Sequence, residues 1–320
     1  MPDIKYDSIV ILGPTASGKT KLACLVAKRF EGEIISADSR QVYKALDIGT
    51  GKDLQEYVAE GVQVPVHLVD IKNAEDQFYL HEFQEKLSEA FDSISKRKKI
   101  PVICGGTGLY LDAIRKDFLF TQAPEDHELR RELNTKSKEQ LSAILDGFPA
   151  ENIAHVDRSS AKRMVRGIEV AIYLQQNKLL RKAQRLNCSP FYIGLNPAVE
   201  QRREDIALRL KMRLENGLVE EVYGLLQKNI SHERLQTLGL EYRFISDHIQ
   251  GRLTRAEMEA RLLTAIIQYS KRQMTWFRRM EKEGIEIHWF NRTQWPEMLA
   301  ELSRHFTVKA ANPSHPSPTQ

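Results

Sequence analysis

The sequence predicts an α/β fold in which helices cover both faces of a parallel sheet and a helical insertion interrupts the chain. Short apolar or β-branched runs alternate with helical patterns as far as about residue 120, which is typical of a parallel sheet. From residue 121 to 189 the strand pattern stops and a charged, helical segment takes its place. We therefore expect a core of residues 1–120 and 190–309, an insertion at 121–189 and a disordered Pro/Ser-rich tail at 310–320.

The first predicted strand, Ser8–Leu12, runs into a glycine-rich loop of the form G-x-x-x-x-G-K-[ST]. An amphipathic helix follows, in which Leu22, Leu25, Val26 and Phe30 recur at helical spacing. Backbone amides of such a loop and of the helix start converge on an oxyanion, so the sheet is of the P-loop type and binds phosphate there. The predicted phosphate-binding residues are Gly13, Pro14, Thr15, Ala16, Ser17, Gly18, Lys19 and Thr20; Lys19 adds a cation, and the Thr20 hydroxyl can ligate Mg²⁺.

The remaining core elements follow from the same patterns. Strands are predicted at 33–37, 64–69, 100–104, 192–195 and 286–290, and helices at 80–96, 199–227 and 255–279. Ligands of such sheets bind beyond the carboxyl ends of the strands, so Asp38, Ser39 and Thr107 should meet the phosphate loop. We expect Asp38 at the end of the strand beside that loop, as a base, a metal ligand through water or a hydrogen-bond acceptor; the alternative is a helix N-cap.

Composition and charge narrow the class of protein. The chain has 320 residues, a formal net charge of +4 and no apolar run as long as a membrane span. The three cysteines, Cys24, Cys104 and Cys188, match no metal-site spacing and indicate reduced thiols. The N-terminus leads almost directly into the first strand, which leaves no room for a signal peptide. We expect a cytoplasmic monomer that makes no membrane contact.

The insertion carries a basic segment. Between Arg158 and Arg185 there are eight lysines or arginines and one acid, Glu169. Helical spacing puts Lys162, Arg163 and Arg166 on one face, with Met164, Ile168 and Ala171 on the core side, and Arg181, Lys182 and Arg185 extend the charge. This pattern favours binding of a phosphate backbone over the alternative of a solvated helix face.

Two further groups allow a functional and a structural interpretation. Gln41 can read a base edge and Tyr43 can stack on a base, although both residue types are more often structural. The helix Tyr269–Arg279 mixes cations with aromatics, which suits either RNA contacts or a core position for Trp276 and Phe277.

Six motifs together resemble the tRNA dimethylallyltransferase family, in family order and over roughly residues 8–290. They are Gly13–Thr20, Asp38–Tyr43, Asp47–Thr50, Gly105–Tyr110, Arg163–Glu169 and Lys271–Arg278. The chain departs from the family pattern at Ser160, where Asn or Asp is common, and at Leu238–Arg243, where a Gly-Tyr-Arg motif carries two extra residues. No counterpart of the zinc finger of some eukaryotic members is present in the sequence.

The resemblance implies transfer of a dimethylallyl group from dimethylallyl diphosphate to N6 of the adenosine just 3′ of the tRNA anticodon, with Mg²⁺ as cofactor. It implies that Asp38 is the general base, that Thr107 and Lys19 stabilise the reacting phosphate, and that the phosphate loop holds the prenyl diphosphate. The implied contacts to the tRNA anticodon stem-loop are Asp38, Ser39, Arg40, Gln41, Thr107, Arg130, Lys162, Arg163, Met164, Val165, Arg166, Tyr242, Arg243, Arg272 and Gln273.

Two other functions use the same phosphate loop. A small-molecule kinase would need ATP and acidic Mg²⁺ ligands, for which Asp70 is a candidate. A non-catalytic RNA-binding module could use a nucleoside triphosphate as a switch. Neither the kinase nor its ATP explains the basic segment of the insertion.

Overall fold

The computed structural model describes residues 6–52, 57–59, 61–116, 118, 122–154, 156–176 and 186–306. The chain forms two compact units. The sheet unit comprises Met1–Phe78, Lys86–Arg115 and Leu186–Gln320, and the helical unit comprises Tyr79–Glu85 and Lys116–Arg185. The predicted cations Arg181, Lys182 and Arg185 and the predicted tail at 310–320 lie outside the described residues.

The sheet unit is built on parallel strands. The strands are β1 (Ser8–Leu12), β2 (Gly32–Ser36), β3 (Val58–Ala59), β4 (Val62–Gln63), β5 (Val66–His67), β6 (Ile100–Gly105), β7 (Pro190–Leu195) and β8 (Ile287–Phe290). Six of them form one parallel sheet in the order β5-β2-β6-β1-β7-β8, and β3 and β4 form a separate antiparallel pair. Every residue of β1 is buried, as expected for a central strand with helices on both faces.

Helices fill both units. They are α1 (Lys19–Arg29), α2 (Leu80–Lys96), α3 (Gly108–Asp112), α4 (His127–Leu133), α5 (Lys138–Asp146), α6 (Ala150–Ile153), α7 (Ala161–Gln176), α8 (Val199–Glu215), α9 (Leu218–Gln227), α10 (His232–Leu238), α11 (Leu240–Ile249), α12 (Arg255–Lys282) and α13 (Trp295–His305). The α/β fold and the predicted P-loop-type arrangement of strand, loop and helix are confirmed.

Alternating side chains of β1 pack against different layers. Ile9 and Ile11 belong to one core cluster with α1 and α13, while Val10 and Leu12 are also fully buried. A second cluster joins α8 to α12, with Leu218, Leu235 and Leu262 at its centre.

Three sequence predictions need correction. The helix predicted over 199–227 is broken at Gly217, which has φ 93° and separates α8 from α9. The strand predicted over 64–69 is reduced to β5 because Leu68 and Asp70 adopt left-handed backbone angles of 64° and 56°. The strand before Asp38, β2, is not the neighbour of β1, because β6 lies between them. Strand order depends on crossovers, which the order of motifs along the chain does not reveal.

The helical unit has its own small core. Leu133, Leu141, Leu145, Met164 and Ile168 are each at most 2% exposed and pack α4, α5 and α7 together. The helix ends are satisfied locally: Asp126 accepts from two amides of the first turn of α4, and Ser137 and Gln140 form a capping box on α5.

The close approach of β6 to the residue after β2 predicts a sharp cost for one added methyl group. A Cβ on Gly105 would lie 2.2 Å from the backbone oxygen of Ala37, which no rotamer change can relieve. We expect Gly105→Ala to lower the free energy of unfolding by about 1–3 kcal/mol in urea denaturation. The matched control is Gly224→Ala in α9, where nothing lies within 4 Å. That change should raise stability by about 0.5–1 kcal/mol, and equal losses in both variants would contradict the packing argument.

Candidate active site at the carboxyl edge of the sheet

The phosphate loop between β1 and α1 adopts a tightly wound backbone. Gly18, which precedes α1, has φ 85°, a conformation that glycine reaches without steric cost. Ala16 has φ 60° although it carries a Cβ, and the Ser17 amide donates to the Pro14 carbonyl at 3.3 Å. The loop therefore needs contacts from elsewhere in the chain to stay in this shape.

Gln273 supplies one of those contacts from the middle of α12. Its Oε1 accepts from the Thr15 amide at 2.8 Å, and its Nε2 donates to the Gly106 carbonyl at 2.8 Å. The residue is 5% exposed. Its side-chain amide thus connects the phosphate loop to the glycine turn after β6. Both ends of that amide are already bonded within the protein, and the predicted tRNA contact of Gln273 stays a prediction.

Asp38, Ser39 and Thr107 come together as the sequence predicted. The Ser39 amide donates to Thr107 Oγ1 at 3.2 Å, although their strands are separated by some sixty residues of chain. The Arg40 amide donates to Asp38 Oδ1 at 2.9 Å, which fixes the orientation of the carboxylate. Asp38 is half-buried and lines the cavity described next.

Two adjacent cavities meet at Asp38. The phosphate cavity has a volume of about 270 Å³, and the side cavity has a volume of about 420 Å³. Four residues line both: Thr15, Asp38, Thr50 and Tyr269. The phosphate cavity also contacts Ala16, Ser17, Gly18, Lys19, Thr20, Gln41, Asp205, Leu208, Arg209, Met212, Gln273 and Arg292, whereas the side cavity contacts Ser39, Arg40, Thr107, Arg213, Gln236, Glu241 and Arg243.

Tyr269 places a phenol at this junction. Burial, and then the negative charge of Asp38, raises the pKa of Tyr269 to about 12, while a hydrogen bond with Thr107 works in the opposite direction. The phenol therefore stays neutral at physiological pH. A neutral hydroxyl beside a carboxylate can donate or accept a hydrogen bond toward a ligand in either cavity.

The cations that complete the site were missed in the sequence. Arg209 of α8 lines the phosphate cavity, and Arg213, one turn later, donates to the Gly49 carbonyl at 3.2 Å and pairs with Glu241 at 3.3 Å. Burial raises the pKa of Glu241 and Arg213 opposes the shift. Arg292, after β8, contacts the phosphate loop directly. All three arginines follow the loop by nearly two hundred residues or more and belong to no recognisable motif.

A half-buried carboxylate shapes the Asp47–Thr50 motif. Glu221 accepts three consecutive backbone amides, those of Asp47, Ile48 and Gly49, at 2.9, 2.7 and 3.0 Å. Tyr242 donates its hydroxyl to the same carboxylate at 2.7 Å and is 1% exposed. The Tyr242 phenol is bonded and buried inside the core, so the predicted tRNA contact stays a prediction for which this side chain offers no exposed surface.

Gln41 and Tyr43 also have structural partners. Gln41 is 8% exposed, and its Oε1 accepts from Ser36 at 3.0 Å and from Tyr57 at 3.3 Å. Tyr43 is 4% exposed and accepts from the Phe78 amide at 3.1 Å. Gln41 still borders the phosphate cavity, so its predicted role stays a prediction, whereas Tyr43 has no open face for stacking.

In the helix Tyr269–Arg279, Phe277 occupies the core position that the sequence allowed, whereas Trp276 is half-buried, and the alternative of RNA contacts stays a prediction. Phe277 is fully buried, and Trp276 Nε1 donates to Asp112 Oδ2 at 3.0 Å. Asp112 also accepts from Arg279 at 2.9 Å and from Arg115 at 2.6 Å, which fastens α3, the helix that starts after Thr107. Arg272, by contrast, is exposed and lies 5.8 Å from the centre of the Tyr269 ring.

In the helical unit, one buried acid organises the predicted basic face. Glu169 accepts from Arg130 Nη2 at 2.8 Å, from Arg166 and from the Asp126 amide at 2.5 Å. Burial alone raises the pKa of Glu169, but these hydrogen bonds outweigh burial and leave the pKa below its ordinary value. Arg130 pairs with Glu125 as well, at 2.8 Å.

The charge on this face is more nearly balanced than the sequence suggested. Arg158 pairs with Asp146 at 2.8 Å, and Arg163 pairs with Asp157. Both acids precede the basic segment Arg158–Arg185 in the sequence. Lys162 is exposed, with no ion pair among the described residues. Met164 and Val165 are 1% and 5% exposed, so the tRNA contacts predicted for them stay predictions that these two side chains offer little surface to make. They form the core side of the helix.

Asp70 is not among the residues that line the phosphate cavity. Its Oδ1 is 2.5 Å from Lys52 Nζ, a buried ammonium that also bonds Asp47 and the Tyr43 carbonyl at 2.8 Å each. Among the described residues, no group of three or more His, Cys, Asp or Glu side chains could hold a metal ion. The described helices also include none with the length and apolar character needed to cross a bilayer.

Comparisons with known proteins agree with this geometry. A family model described as IPP transferase matches residues 41–280. The chain is 45% identical over 302 residues to tRNA dimethylallyltransferase 2 of Shewanella sediminis, covering 93% of this chain and 99% of that protein. The full-length tRNA isopentenylpyrophosphate transferase of Bacillus halodurans superposes with a TM-score of 0.66 at 30% identity, over 93% of this chain and 95% of that one. The tRNA delta(2)-isopentenylpyrophosphate transferase of Staphylococcus epidermidis superposes with a TM-score of 0.64 at 32% identity, over 92% of this chain and 97% of that one.

The Glu169 cluster generates a pH-dependent prediction. Because the folded-state pKa is lowered, its stabilising effect is fully present above about pH 4.3, the pKa of an unfolded glutamate, and is lost as the pH falls through the folded-state pKa. Glu169→Gln should therefore cost about 2 kcal/mol in urea denaturation at pH 7, and the difference from wild type should shrink below pH 4.3. Glu151→Gln, an exposed acid of α6, is the control. A penalty that stays constant down to pH 3 would exclude the charge as its cause.

Proposed function

This chain belongs to the IPP transferase family, and from that premise we propose that it is a tRNA dimethylallyltransferase. The proposed reaction moves a dimethylallyl group from dimethylallyl diphosphate to N6 of the adenosine just 3′ of the anticodon and releases diphosphate. The observation that carries the proposal is that Asp38 borders both cavities. A carboxylate in that place can accept a proton from a nucleobase in the side cavity while the diphosphate occupies the phosphate cavity.

The phosphate cavity suits a diphosphate leaving group. Negative charge builds up on the diphosphate as the carbon–oxygen bond breaks, and loop amides, Lys19 and Arg209 can stabilise it there. Ser17 is fully buried at this cavity, and its hydroxyl has no hydrogen-bond partner within the described part of the chain. A phosphate oxygen could accept a hydrogen bond from that hydroxyl.

The donors around the loop also fit Mg²⁺, a hard cation that prefers oxygen ligands and binds through substrate phosphates. Thr20, in the first turn of α1, and Asp38 both line the phosphate cavity. When bound, the ion would neutralise part of the diphosphate charge. We propose Thr20 as its protein ligand.

The side cavity suits the nucleobase. The N6 lone pair of adenine is delocalised into the ring, so the amine attacks poorly and its proton becomes acidic only as the new carbon–nitrogen bond forms. Asp38 accepts that proton in the transition state. Thr107 and Tyr269 stand beside it as neutral hydroxyl groups. The adenosine must leave its stack to reach this position, as bases do in other enzymes that modify them.

Exposed or half-exposed cations are proposed as the contacts to the tRNA backbone. In the sheet unit these are Arg40, Arg243 and Arg272, together with the Ser39 hydroxyl; in the helical unit they are Arg130, Lys162, Arg163 and Arg166. Phosphate contacts of this kind position the nucleic acid and weaken with salt.

The three cysteines, all described, form no disulfide, which supports the proposed cytoplasmic location. A monomer remains our expectation.

The kinase alternative loses its specific support, because its candidate Mg²⁺ ligand, Asp70, is bonded to Lys52. The hypothesis of a nucleotide-switched RNA-binding module gives no role to Asp38 at the junction of the two cavities. A single assay separates these functions. The protein is incubated with unmodified tRNA and labelled dimethylallyl diphosphate, and we expect label on the tRNA. ATP turnover without labelled tRNA would support a kinase or a switch instead.

Asp38→Asn gives the sharpest test of the mechanism. The change removes the proton acceptor and keeps the size of the side chain, so transfer should fall by at least about 10²-fold while the affinity for dimethylallyl diphosphate stays near that of wild type. Single-turnover transfer and calorimetric binding measure the two effects separately. Asp92→Asn, an exposed acid of α2, is the control and should transfer normally. Near-normal transfer by Asp38→Asn would remove Asp38 as the base.

A further inference from the structure

Arg292 lines the phosphate cavity and bonds backbone carbonyls of the phosphate loop. It follows β8 and donates from Nε to the Ser17 carbonyl at 3.1 Å and from Nη2 to the Ala16 carbonyl. Its third nitrogen, Nη1, pairs with Asp205 Oδ2 at 2.9 Å. One guanidinium group thus donates hydrogen bonds to two successive loop carbonyls and forms an ion pair with one carboxylate, each through a different nitrogen.

These two carbonyls belong to the strained part of the loop. Ala16 has φ 60° and Gly18 has φ 85°, and the left-handed region is unfavourable for a residue with a Cβ. The described residues contain no cis peptide bond. In a trans peptide the carbonyl and the following N–H point in opposite directions. Holding the Ser17 carbonyl toward Arg292 therefore directs the Gly18 amide away from Arg292, and the amides of such a loop converge on an oxyanion.

Asp205 determines where the guanidinium lies. Its side chain is 19% exposed and projects from α8, whereas the Arg292 side chain is 40% exposed and would otherwise have the freedom of a surface arginine. Arg209 follows Asp205 by one helical turn on the same face and lines the phosphate cavity. The same helix therefore presents a cation to the anion and fixes the group that shapes the loop.

We propose that Arg292 and Asp205 are positioning residues that hold the phosphate loop in its anion-binding conformation before any substrate arrives. The proposal rests on the proposed function only for the identity of the anion, a diphosphate. Neither residue has to touch the ligand, because the effect passes through the Ala16 and Ser17 carbonyls. Preorganisation of this kind lowers the cost of binding without adding a contact.

Asp205→Asn distinguishes positioning from simple electrostatics. The change removes a negative charge beside the phosphate cavity, which by charge alone would strengthen the binding of an anion. Positioning predicts the opposite sign, because a weakened hold on Arg292 frees the loop. We expect Arg292→Ala and Asp205→Asn each to raise the Kd for inorganic diphosphate in the presence of Mg²⁺ several-fold to about tenfold by calorimetry. The double variant should bind no more weakly than Arg292→Ala, since both changes break one chain of contacts.

Two controls separate this effect from a loss of positive charge or of the fold. Arg203→Ala removes an exposed cation of α8 that has no bond to the loop, and its Kd should remain that of wild type at moderate salt. Amide hydrogen exchange of the ligand-free full chain should become faster at residues 13–20 in Arg292→Ala and stay unchanged in the sheet strands.

Asp205→Asn binding as tightly as wild type, or more tightly, would overturn the proposal. So would weaker binding by Arg292→Ala with unchanged exchange of the loop, which would make Arg292 a direct ligand of the anion. The readout uses inorganic diphosphate and needs no tRNA or prenyl group. A failure of the transfer assay with an intact response in these variants would therefore count against the proposed function alone.

Discussion

The site depends on one constraint: a backbone loop with left-handed residues at Ala16 and Gly18 must be kept in a single shape. Its sequence makes the shape accessible, but the contacts that hold it come from distant parts of the chain. Gln273 bonds the Thr15 amide from α12, and Arg292 bonds the Ala16 and Ser17 carbonyls from the loop after β8. The two contacts use opposite polarities of the backbone, an acceptor for an amide and a donor for carbonyls, so together they restrain its rotation.

The same principle recurs where carboxylates organise backbone or cations. Glu221 accepts three successive amides of the Asp47–Thr50 motif, Asp112 collects Trp276 and two arginines behind the Thr107 turn, and Glu169 collects two arginines and an amide in the helical unit. Each of these acids is bonded by several donors, which offsets the cost of burying a charge. Glycines and hydroxyl groups near the site are thereby placed by side chains that never need to contact a substrate.

This arrangement changes the meaning of the positive charge. Many of the arginines that make the chain basic are already paired, among them Arg130, Arg158, Arg163 and Arg166. A paired arginine still carries donors to a phosphate, but its position is set in advance by the acid behind it. Recognition of a polyanion would then combine fixed guanidinium groups with mobile lysines such as Lys162, and geometry as well as net charge would decide the affinity.

The sequence by itself determined most strands of the parallel sheet, the phosphate loop and the meeting of Asp38, Ser39 and Thr107, because these follow from local periodicity and from the rule that ligands lie at the carboxyl ends of parallel strands. Helical spacing also predicted the burial of Met164, Ile168 and Ala171. Only the tertiary structure decided that β6 separates β1 from β2, that Tyr242 and Val165 are buried, and that Arg209, Arg213 and Arg292 reach the site. The reason is physical: a helix or turn forms from neighbours a few residues away, whereas a side chain acquires its partner through contacts between segments that the chain order does not pair.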